Sequence, residues 1–415
     1  MPLSLELAFT YLLTRKRQSL VSMIGVSLGV AVFIGMAALM FGFQTYFIAK
    51  IIDVSPHVVM KDEHREPHSQ PVKLAYQQPA AVELQSLKPR DEMRGIKEGM
   101  QIVRALAGRG DLKVAPTLRG EVFLRYGSKD VNATLIGIDP VREPHVTHIR
   151  RDLIAGSLEA LHNTANGLIL GDGLQKKIGA QVGDTISVIS PANVKLRMKV
   201  VGTIRTGITT MDNTEAYALI KKSQVLQNRP NVVNQIRIRL PDAKKAAALA
   251  VELERHYGYR TESWEESNRN VLSIFVIQQS ITFSSVGAVL IVAAFGIFNI
   301  ISTVVYEKTR DIAILKSMGL SEADVRRTFL IQGLLVGVAG TLCGWFFGFC
   351  IIRGLASIRF HLEGFITAEG FVLYESSFSY LVSAAFAITS AAFAGYLPAR
   401  KAAKLRPVEI IRSAA

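Results

Sequence analysis

Two histidine pairs and one glycine-rich turn are the residues here whose types and spacing come closest to a chemical site. The pairs have the spacing of metal ligands: His145 with His148, and His64 with His68. Neither pair is joined by a third ligand or by an acidic residue at helical spacing, which a zinc site requires. The turn at 171–173 lacks the further glycine of a dinucleotide-binding loop. We therefore predict turn or surface histidines, a helix start at Gly171, no catalytic residue and no metal site.

Nucleotide and thiol chemistry are not indicated either. The sequence contains no Gly-x-x-x-x-Gly-Lys phosphate loop and no Gly-x-Ser-x-Gly nucleophile turn. Its two cysteines, Cys343 and Cys350, lie seven apart inside an apolar run, with no disulfide framework or zinc spacing. We predict that they are small side chains buried in a membrane, that the chain is not itself an enzyme, and that it binds no cofactor directly.

The formal net charge of +14 could indicate a nucleic-acid partner. However, the basic residues are not interleaved with aromatic residues, and many of them flank uncharged apolar runs. Four such runs are present: Ser19–Ala49, Ile274–Tyr306, Thr328–Ile352 and roughly Phe378–Leu397. Because a helix needs about 20 residues to cross the hydrocarbon core, we predict four transmembrane helices and no nucleic-acid partner. The first two runs are long enough to project beyond the core.

The basic residues near the ends of these runs predict the orientation of the chain. They precede the first run, fill the link between the second and third, and follow the fourth: Arg15, Lys16, Arg17, Lys308, Arg310, Lys316, Arg326, Arg327, Arg400, Lys401, Lys404, Arg406 and Arg412. Lys and Arg are enriched in cytoplasmic loops. We therefore predict a multi-pass inner-membrane protein with both termini in the cytoplasm. Residues 1–18 read either as an interfacial helix presenting Leu5, Phe9, Leu12 and Leu13 or as the start of the first span.

Small residues recur every four positions within the spans. Gly25 and Gly29 form one pair, and Gly340, Gly344 and Gly348 form a ladder. This spacing lets helix backbones approach closely in lipid, either within the chain or in a dimer. The spans contain no charged residue, whereas ion-coupled transporters normally need one. A secondary transporter is therefore not predicted.

Residues 50–273 predict a separate α+β domain on the periplasmic side. Helical spacing occurs at 83–106 and 242–257. Short alternating stretches predict strands at 113–125, 131–137, 185–189, 196–204, 233–240 and 259–264. About 220 residues can bury a core of their own.

Three segments carry a resemblance to a known family. These segments resemble the MacB/FtsX-like permeases of type VII ABC transporters. They are Tyr306–Leu320 with its continuation to Arg327, the terminal stretch Tyr396–Glu409, and Gly167–Gly173 with Gly179 and Val182–Asp184. Four further stretches look like the lipoprotein-releasing permeases LolC and LolE: Met40–Phe43, Ser55–Val58, Trp264–Glu266 and Phe298–Ile300. The proline-rich hook loop that receives a periplasmic carrier in LolC-like members has only a poor counterpart in Ser190–Asn193.

The resemblance implies a membrane α-helical fold with four transmembrane helices and an α+β periplasmic domain of two lobes, Porter and Sabre, between the first and second. One lobe would use about 50–110 and 211–270, and the other the middle of the insertion. The implied parts are an N-terminal segment 1–18, spans 19–49, 274–306, 328–352 and 378–397, a periplasmic domain 50–273, a coupling loop 307–327, a short periplasmic loop 353–377, a tail 398–415, and a permease domain 274–412.

The resemblance also implies partners. The chain would act as a homo- or heterodimer with two copies of a separate ATPase, which would hold the ATP and Mg. The coupling helix in 307–320 would present Ile312, Ile314, Leu315 and Met318 beside charged residues, an arrangement suited to docking into a groove. The predicted coupling residues are Glu307, Arg310, Asp311, Ile314, Lys316, Met318 and Gly319, the last ending the helix. A membrane-interface turn that merely caps the second span is the alternative.

For transport we predict extraction of lipoproteins or lipids from the inner membrane. Met40, Phe43 and Phe47 would help line an apolar cavity for acyl chains; ordinary packing or lipid-facing side chains are the alternative. Three other functions stay open. They are a MacB-like efflux permease with a membrane-fusion protein, an FtsX-like regulator of a cell-wall hydrolase, and a membrane-anchored sensor. A periplasmic lipoprotein carrier is the remaining candidate partner, beside membrane lipid.

Overall fold

The computed structural model describes residues 3–14, 16–63, 95–358, 361–363 and 367–404. Its residues form two compact units. The bundle unit comprises Met1–Tyr46, Ser273–Phe360 and Glu369–Ala415, and the α/β unit comprises Phe47–Leu272 and His361–Ala368. Two of the boundaries between the units fall inside long helices.

The helices, numbered in chain order, are α1 Leu3–Thr14, α2 Lys16–Val54, α3 Gly99–Ala107, α4 Glu143–Val146, α5 Ile149–Asp152, α6 Leu158–Asn163, α7 Asp172–Ile178, α8 Thr209–Thr214, α9 Ile220–Leu226, α10 Ala246–Tyr257, α11 Trp264–Ser267, α12 Arg269–Glu307, α13 Thr309–Ser317, α14 Glu322–Ser357 and α15 Ser377–Ala403. The strands are β1 Val58–Lys61, β2 Lys113–Tyr126, β3 Lys129–Ile138, β4 Leu153–Gly156, β5 Gly167–Gly171, β6 Thr185–Ile189, β7 Lys195–Ile204, β8 Glu215–Leu219, β9 Gln235–Arg239, β10 Arg260–Ser263, β11 His361–Glu363 and β12 Thr367–Glu369.

Four helices in the described residues are long and apolar enough to cross a membrane, namely α2, α12, α14 and α15. Each contains one predicted span and extends beyond it at both ends, because the flanking charged residues continue the helix. The first two are 39 residues long. The predicted coupling loop is also more helical than expected, since α14 already begins at Glu322. In the predicted short loop 353–377, α14 continues to Ser357 and the hairpin β11–β12 follows.

Glycines set how closely the spans approach one another. On α14 the ladder of Gly340, Gly344 and Gly348 faces α2, where a Cβ added at each would lie 2.8, 2.6 and 3.0 Å from the Cβ atoms of Val26, Val30 and Ile34. Gly29 on α2 faces α12 in the same way, with Leu290 2.9 Å from the added atom. These contacts lie within one chain. The small-residue spacing of this ladder therefore serves packing within the bundle.

The N-terminal helix α1 also packs on the bundle. Ala8 is fully buried, and the ring of Tyr11 stacks on Phe329 of α14 with centroids 6.0 Å apart. Two residues of the predicted interfacial face, Phe9 and Leu13, are half exposed. The packed face of α1 is therefore the one that carries Ala8 and Tyr11.

A ten-stranded sheet forms the α/β unit, in the order β10-β1-β9-β2-β3-β8-β5-β7-β4, with β6 beside β2 and β7. The long strand β2 belongs to two lobes, because its first half pairs with β9 and its second half with β3. We call β10, β1, β9 and Lys113–Thr117, with α3 and α10, the terminal lobe. The second half of β2 and the other strands of this sheet, β3 to β8, form the middle lobe. Each lobe has its own apolar core.

Both predicted lobe boundaries differ from the strand pairing: Lys113–Thr117, beyond the predicted end at about 110, pairs with β9 of the terminal lobe. Segment 211–219 was assigned to the terminal lobe, but β8 pairs with β3 and β5 of the middle lobe. The predicted strand 185–189 has the observed bounds, and the other five predicted strands lie within two residues of theirs. In the predicted helix 83–106, residues 99–106 are helical and residues 83–94 lie outside the described residues. Strands β1, β4, β5 and β8 were not predicted.

Candidate functional site

The coupling segment joins α12 to α14 through the short helix α13. This helix ends where the Gly319 backbone takes the left-handed conformation, with a φ of +106° that favours glycine. The Leu320 amide then donates to the Leu315 carbonyl at 3.1 Å. On the far side Ser321 caps α14, its Oγ accepting from the Asp324 amide at 3.1 Å. The predicted helix and its glycine stop are therefore both present.

One side of the coupling segment is exposed. Its residues recur at intervals of three or four: Glu307, Arg310, Asp311, Ile314 and Met318. The Ile314 side chain is 43% exposed and that of Met318 is 80% exposed. Asp311 forms an ion pair with Lys308 at 2.8 Å. We call these five residues the coupling stripe. They combine two apolar side chains with a charged rim.

Two residues predicted to face outward point into the bundle instead. Ile312 is 3% exposed and belongs to the bundle core, because α13 lies with this side against the spans. The Lys316 side chain is 10% exposed, and its Nζ donates to the Ala403 carbonyl at 2.7 Å and lies 3.5 Å from Glu322. Lys316 therefore holds the end of α13 against the last carbonyls of α15, where a cation is favourable.

The three residues predicted to line an acyl-chain cavity do not share one exposed surface. Met40 is 6% exposed, and its sulfur lies 3.5 Å from the Thr282 hydroxyl of α12. Phe47 is 5% exposed. Only Phe43 is open, at 40% exposed, with its ring edge toward Phe275, 6.0 Å between centroids. Met40 and Phe47 lie on the packed side of α2, so in this structure they do not line an open cavity.

The last turn of α2 is anchored in the α/β unit by a cluster around Asp53. The Asp53 carboxylate pairs with the Arg151 guanidinium and, at 3.1 Å, with His148 Nε2. Arg239 donates to the Asp53 carbonyl at 3.2 Å and to the Val146 carbonyl at 3.1 Å. Burial lowers the pKa of Arg239, although Asp53 opposes the shift. We call this group the anchor cluster.

The anchor cluster also accounts for one of the histidine pairs. His148 pairs with a carboxylate, and His145 is an exposed residue of α4. The described ranges contain no group of three or more possible metal-ligating side chains. His64 and His68 lie outside the described residues. The sequence did not reveal the anchor cluster, because its members are separated by up to 186 positions in the chain.

The ends of α2 and α12 that reach the α/β unit are joined by a strand pair. Strand β1 follows α2 and pairs antiparallel with β10, which precedes α11 and α12. The Trp264 amide donates to the His57 carbonyl at 2.9 Å. On the same ladder Glu262 accepts from Lys61 Nζ at 2.6 Å and pairs with Arg260. Burial would raise the pKa of Glu262, but these two cations outweigh it and hold the pKa below its ordinary value.

Comparison with known proteins agrees with this architecture. Residues 19–256, more than half of the chain, match the MacB-like periplasmic core domain, and residues 283–407 match the FtsX-like permease C-terminal domain. The two matches correspond to the first span with the α/β unit and to the remaining spans. Together with the four long apolar helices, these permease matches identify the chain as an inner-membrane protein.

Three relatives cover much of the chain. The lipoprotein-releasing system transmembrane protein LolC of Neisseria meningitidis is 28% identical, over 97% of each chain. LolE of Haemophilus influenzae is 24% identical over 94% of this chain and 93% of its own. The macrolide export ATP-binding/permease protein MacB of Vibrio parahaemolyticus is 24% identical over 72% of this chain and 45% of its own. The chain therefore belongs to the MacB/FtsX-like ABC transporter permeases, and within them it is similar to the lipoprotein-releasing permeases LolC and LolE.

Proposed function

We propose that this chain is the permease subunit that transmits ATP hydrolysis on a separate ATPase into extraction of acylated lipoproteins from the inner membrane. The observation that carries this proposal is the pair of continuous helices α2 and α12. At about 1.5 Å per residue, each helix of 39 residues is about 58 Å long. The hydrocarbon core is about 30 Å thick, so roughly half of each helix lies beyond it. Such helices can carry a displacement from one side of the membrane to the other.

The anchor cluster and the β1–β10 pair support this mechanism at the far ends of the two helices. Asp53 on α2 is held by side chains of the α/β unit, and the strands beside the helix ends are hydrogen-bonded to each other. A shift of α2 would therefore move the α/β unit rather than bend a loop. At the near end of α12, the coupling stripe would receive the ATPase. Its apolar centre and charged rim have the composition of a docking surface.

The orientation follows from the basic residues around the spans. Lys308 lies between α12 and α13, and Arg310 lies on α13. Arg326 and Arg327 lie in the first two turns of α14, and Arg400 with Lys401 lies at the end of α15. The enrichment of Lys and Arg in cytoplasmic loops supports an orientation with this end of the bundle, both termini and the coupling stripe inside the cell. The α/β unit would then lie in the periplasm, and ATP with Mg would be bound by the ATPase.

A second permease copy would complete the complex, beside two ATPase subunits. Helix α12 presents exposed apolar side chains along much of its length, among them Val276, Val292 and Phe295 at 64 to 71% exposed. In lipid this surface is stable by itself, and it also suits a second permease helix. A periplasmic lipoprotein carrier is the proposed acceptor of the substrate.

Phe43 is the residue through which the lipoprotein proposal can be tested. Its exposed ring would contact acyl chains, and burial of a phenylalanine contributes about 1.5–3 kcal/mol. In proteoliposomes with the ATPase and a labelled lipoprotein, we expect Phe43→Ala to slow release by about tenfold or more, since about 1.4 kcal/mol corresponds to tenfold. Basal ATP hydrolysis should be unchanged. The matched control is Phe393→Ala on α15, a lipid-facing ring 74% exposed. Equal release rates for the two variants would contradict a role for Phe43.

The MacB-like efflux permease is the second candidate, because the match to MacB covers 72% of this chain. It requires a membrane-fusion protein, whereas an FtsX-like regulator requires a cell-wall hydrolase. Purification of the native complex distinguishes the three. A co-purifying lipoprotein carrier supports the first proposal, and a fusion protein or a hydrolase supports its alternatives.

A further inference from the structure

A partly open cavity of about 290 Å³ lies in the α/β unit, with walls from both lobes. The terminal lobe contributes side chains of β1, β9 and α11, and the middle lobe contributes side chains of α5, β7 and β8. The charged lining residues are Lys61, Arg119, Glu143, Asp152, Glu215 and Arg237. Nothing in the transport mechanism above uses this cavity.

Glu143 is the buried group that points to a ligand. Its side chain is fully buried. One oxygen, Oε1, accepts from Arg237 Nη1 at 2.8 Å and from the Thr147 hydroxyl at 3.2 Å. The other oxygen, Oε2, is buried and has no hydrogen-bond partner among the described residues. A buried acceptor without a donor is costly, so a donor that reached Oε2 from the adjoining cavity would be favourable.

The charges around Glu143 indicate which kind of donor fits. Glu143 and Glu215 are two buried carboxylates, whereas Arg237 is the buried guanidinium that faces them. The Tyr217 hydroxyl donates to Glu215 at 2.6 Å, and burial followed by the charge of Glu215 raises its pKa well above the ordinary value, so it stays neutral. Arg119 reaches Glu215 only at 4.0 Å and is 45% exposed. Of these side chains, the two buried carboxylates Glu143 and Glu215 face one buried guanidinium, that of Arg237.

The other charged lining residues are already paired. Lys61 is bonded to Glu262 at 2.6 Å, and Asp152 lies 3.4 Å from Arg151. Apolar groups complete the wall, including Val59, Ile149 and the ring of Trp264. A ligand for this cavity should therefore combine a positive hydrogen-bond donor with a small apolar body.

We propose that the cavity binds a compact organic ammonium compound, with its nitrogen on Glu143 Oε2 and its apolar part beside Trp264. An anion would meet an unpaired acceptor, and a lipid is too large for the volume. Because the walls come from both lobes, bound ligand would stabilise one arrangement of the two lobes. The proposal does not depend on lipoprotein transport and can be tested without the ATPase.

Trp264 provides the readout, because it is one of only two tryptophans in the sequence. In a Trp345→Phe background, the emission of the detergent-solubilised full chain comes from Trp264 alone. We expect titration with 2-phenylethylammonium to change this emission with saturation below about 10 mM, the range of a weak but specific site. The uncharged isostere 2-phenylethanol should bind at least tenfold more weakly. Equal responses to both compounds, or no saturation, would show a water-filled cavity and overturn the proposal.

Glu143→Gln tests the named oxygen, because the amide keeps an acceptor for Arg237 and removes the charge. We expect at least tenfold weaker binding of 2-phenylethylammonium. Glu252→Gln, on an exposed carboxylate of the same unit, should bind as the parent does. If Glu143→Gln does not fold, Glu215→Gln supplies the same test by removing the second buried charge. Parental affinity in the folded variants would contradict the proposal.

Discussion

Gly344→Ala is expected to destabilise the bundle by about 1–3 kcal/mol, the usual cost of overpacking a close contact. The added Cβ would lie 2.6 Å from the Cβ of Val30 and 3.0 Å from the Ser27 carbonyl on α2. The carbonyl is backbone, so relief requires the helices to separate. Thermal unfolding of the detergent-solubilised protein, followed by near-UV circular dichroism, measures the loss.

The same helix offers a matched control for this variant. A Cβ added at Gly354 meets no atom within 4 Å. Gly354→Ala should therefore be neutral or slightly stabilising, since alanine is favoured over glycine in a helix by about 1 kcal/mol. Equal stability of Gly344→Ala and the parent would mean that α2 and α14 do not pack as closely as described.

The double variant Ile314→Ala and Met318→Ala is expected to release the ATPase from the complex. These two side chains are the apolar centre of the coupling stripe, and truncating a central interface residue costs about 2 kcal/mol or more. Two such losses, about 4 kcal/mol together, would weaken association by about a thousandfold. Size-exclusion chromatography of the co-expressed subunits, with ATP hydrolysis measured on the complex peak, reports the result.

A second exposed isoleucine provides the control for the coupling stripe. Ile358 follows the opposite end of α14 and is 49% exposed, close to the 43% of Ile314. Ile358→Ala should leave the complex intact. Glu307→Ala with Arg310→Ala, on the charged rim, should have a smaller effect that shrinks as the salt concentration rises, because rim charges act mainly on the association rate and salt screens them. An intact and fully active complex after replacement of Glu307, Arg310, Ile314 and Met318 together would rule out this docking surface.

The membrane spans were predictable because lipid imposes a simple requirement on sequence. A run without charge, long enough to cross the core, has few alternatives to a helix. Strands with one exposed side, such as β6, were predictable from their alternation. Strand β5 was not, because all five of its residues are buried and its sequence therefore has no alternation.

The candidate site was predictable only in its local part. The glycine stop and the exposed residues of α13 follow from spacing within a few turns. Whether Ile312 or Ile314 faces inward depends on which side of α13 meets the spans, and this is a tertiary property. Lys316 was misassigned for the same reason, since its partner Ala403 lies 87 positions away. The cavity around Glu143 likewise joins residues from both lobes and leaves no local pattern.

Labelling of single cysteines tests the orientation on which the transport mechanism depends. Both native cysteines, Cys343 and Cys350, are first replaced by alanine. One cysteine is then introduced at Met318 on the coupling stripe or at Glu252 in the α/β unit, both exposed positions. In intact spheroplasts, a membrane-impermeant maleimide should label the cysteine at 252 and should reach the one at 318 only after permeabilisation. Labelling of position 318 but not of position 252 in intact spheroplasts would contradict the mechanism, because the ATPase could not then reach the coupling stripe.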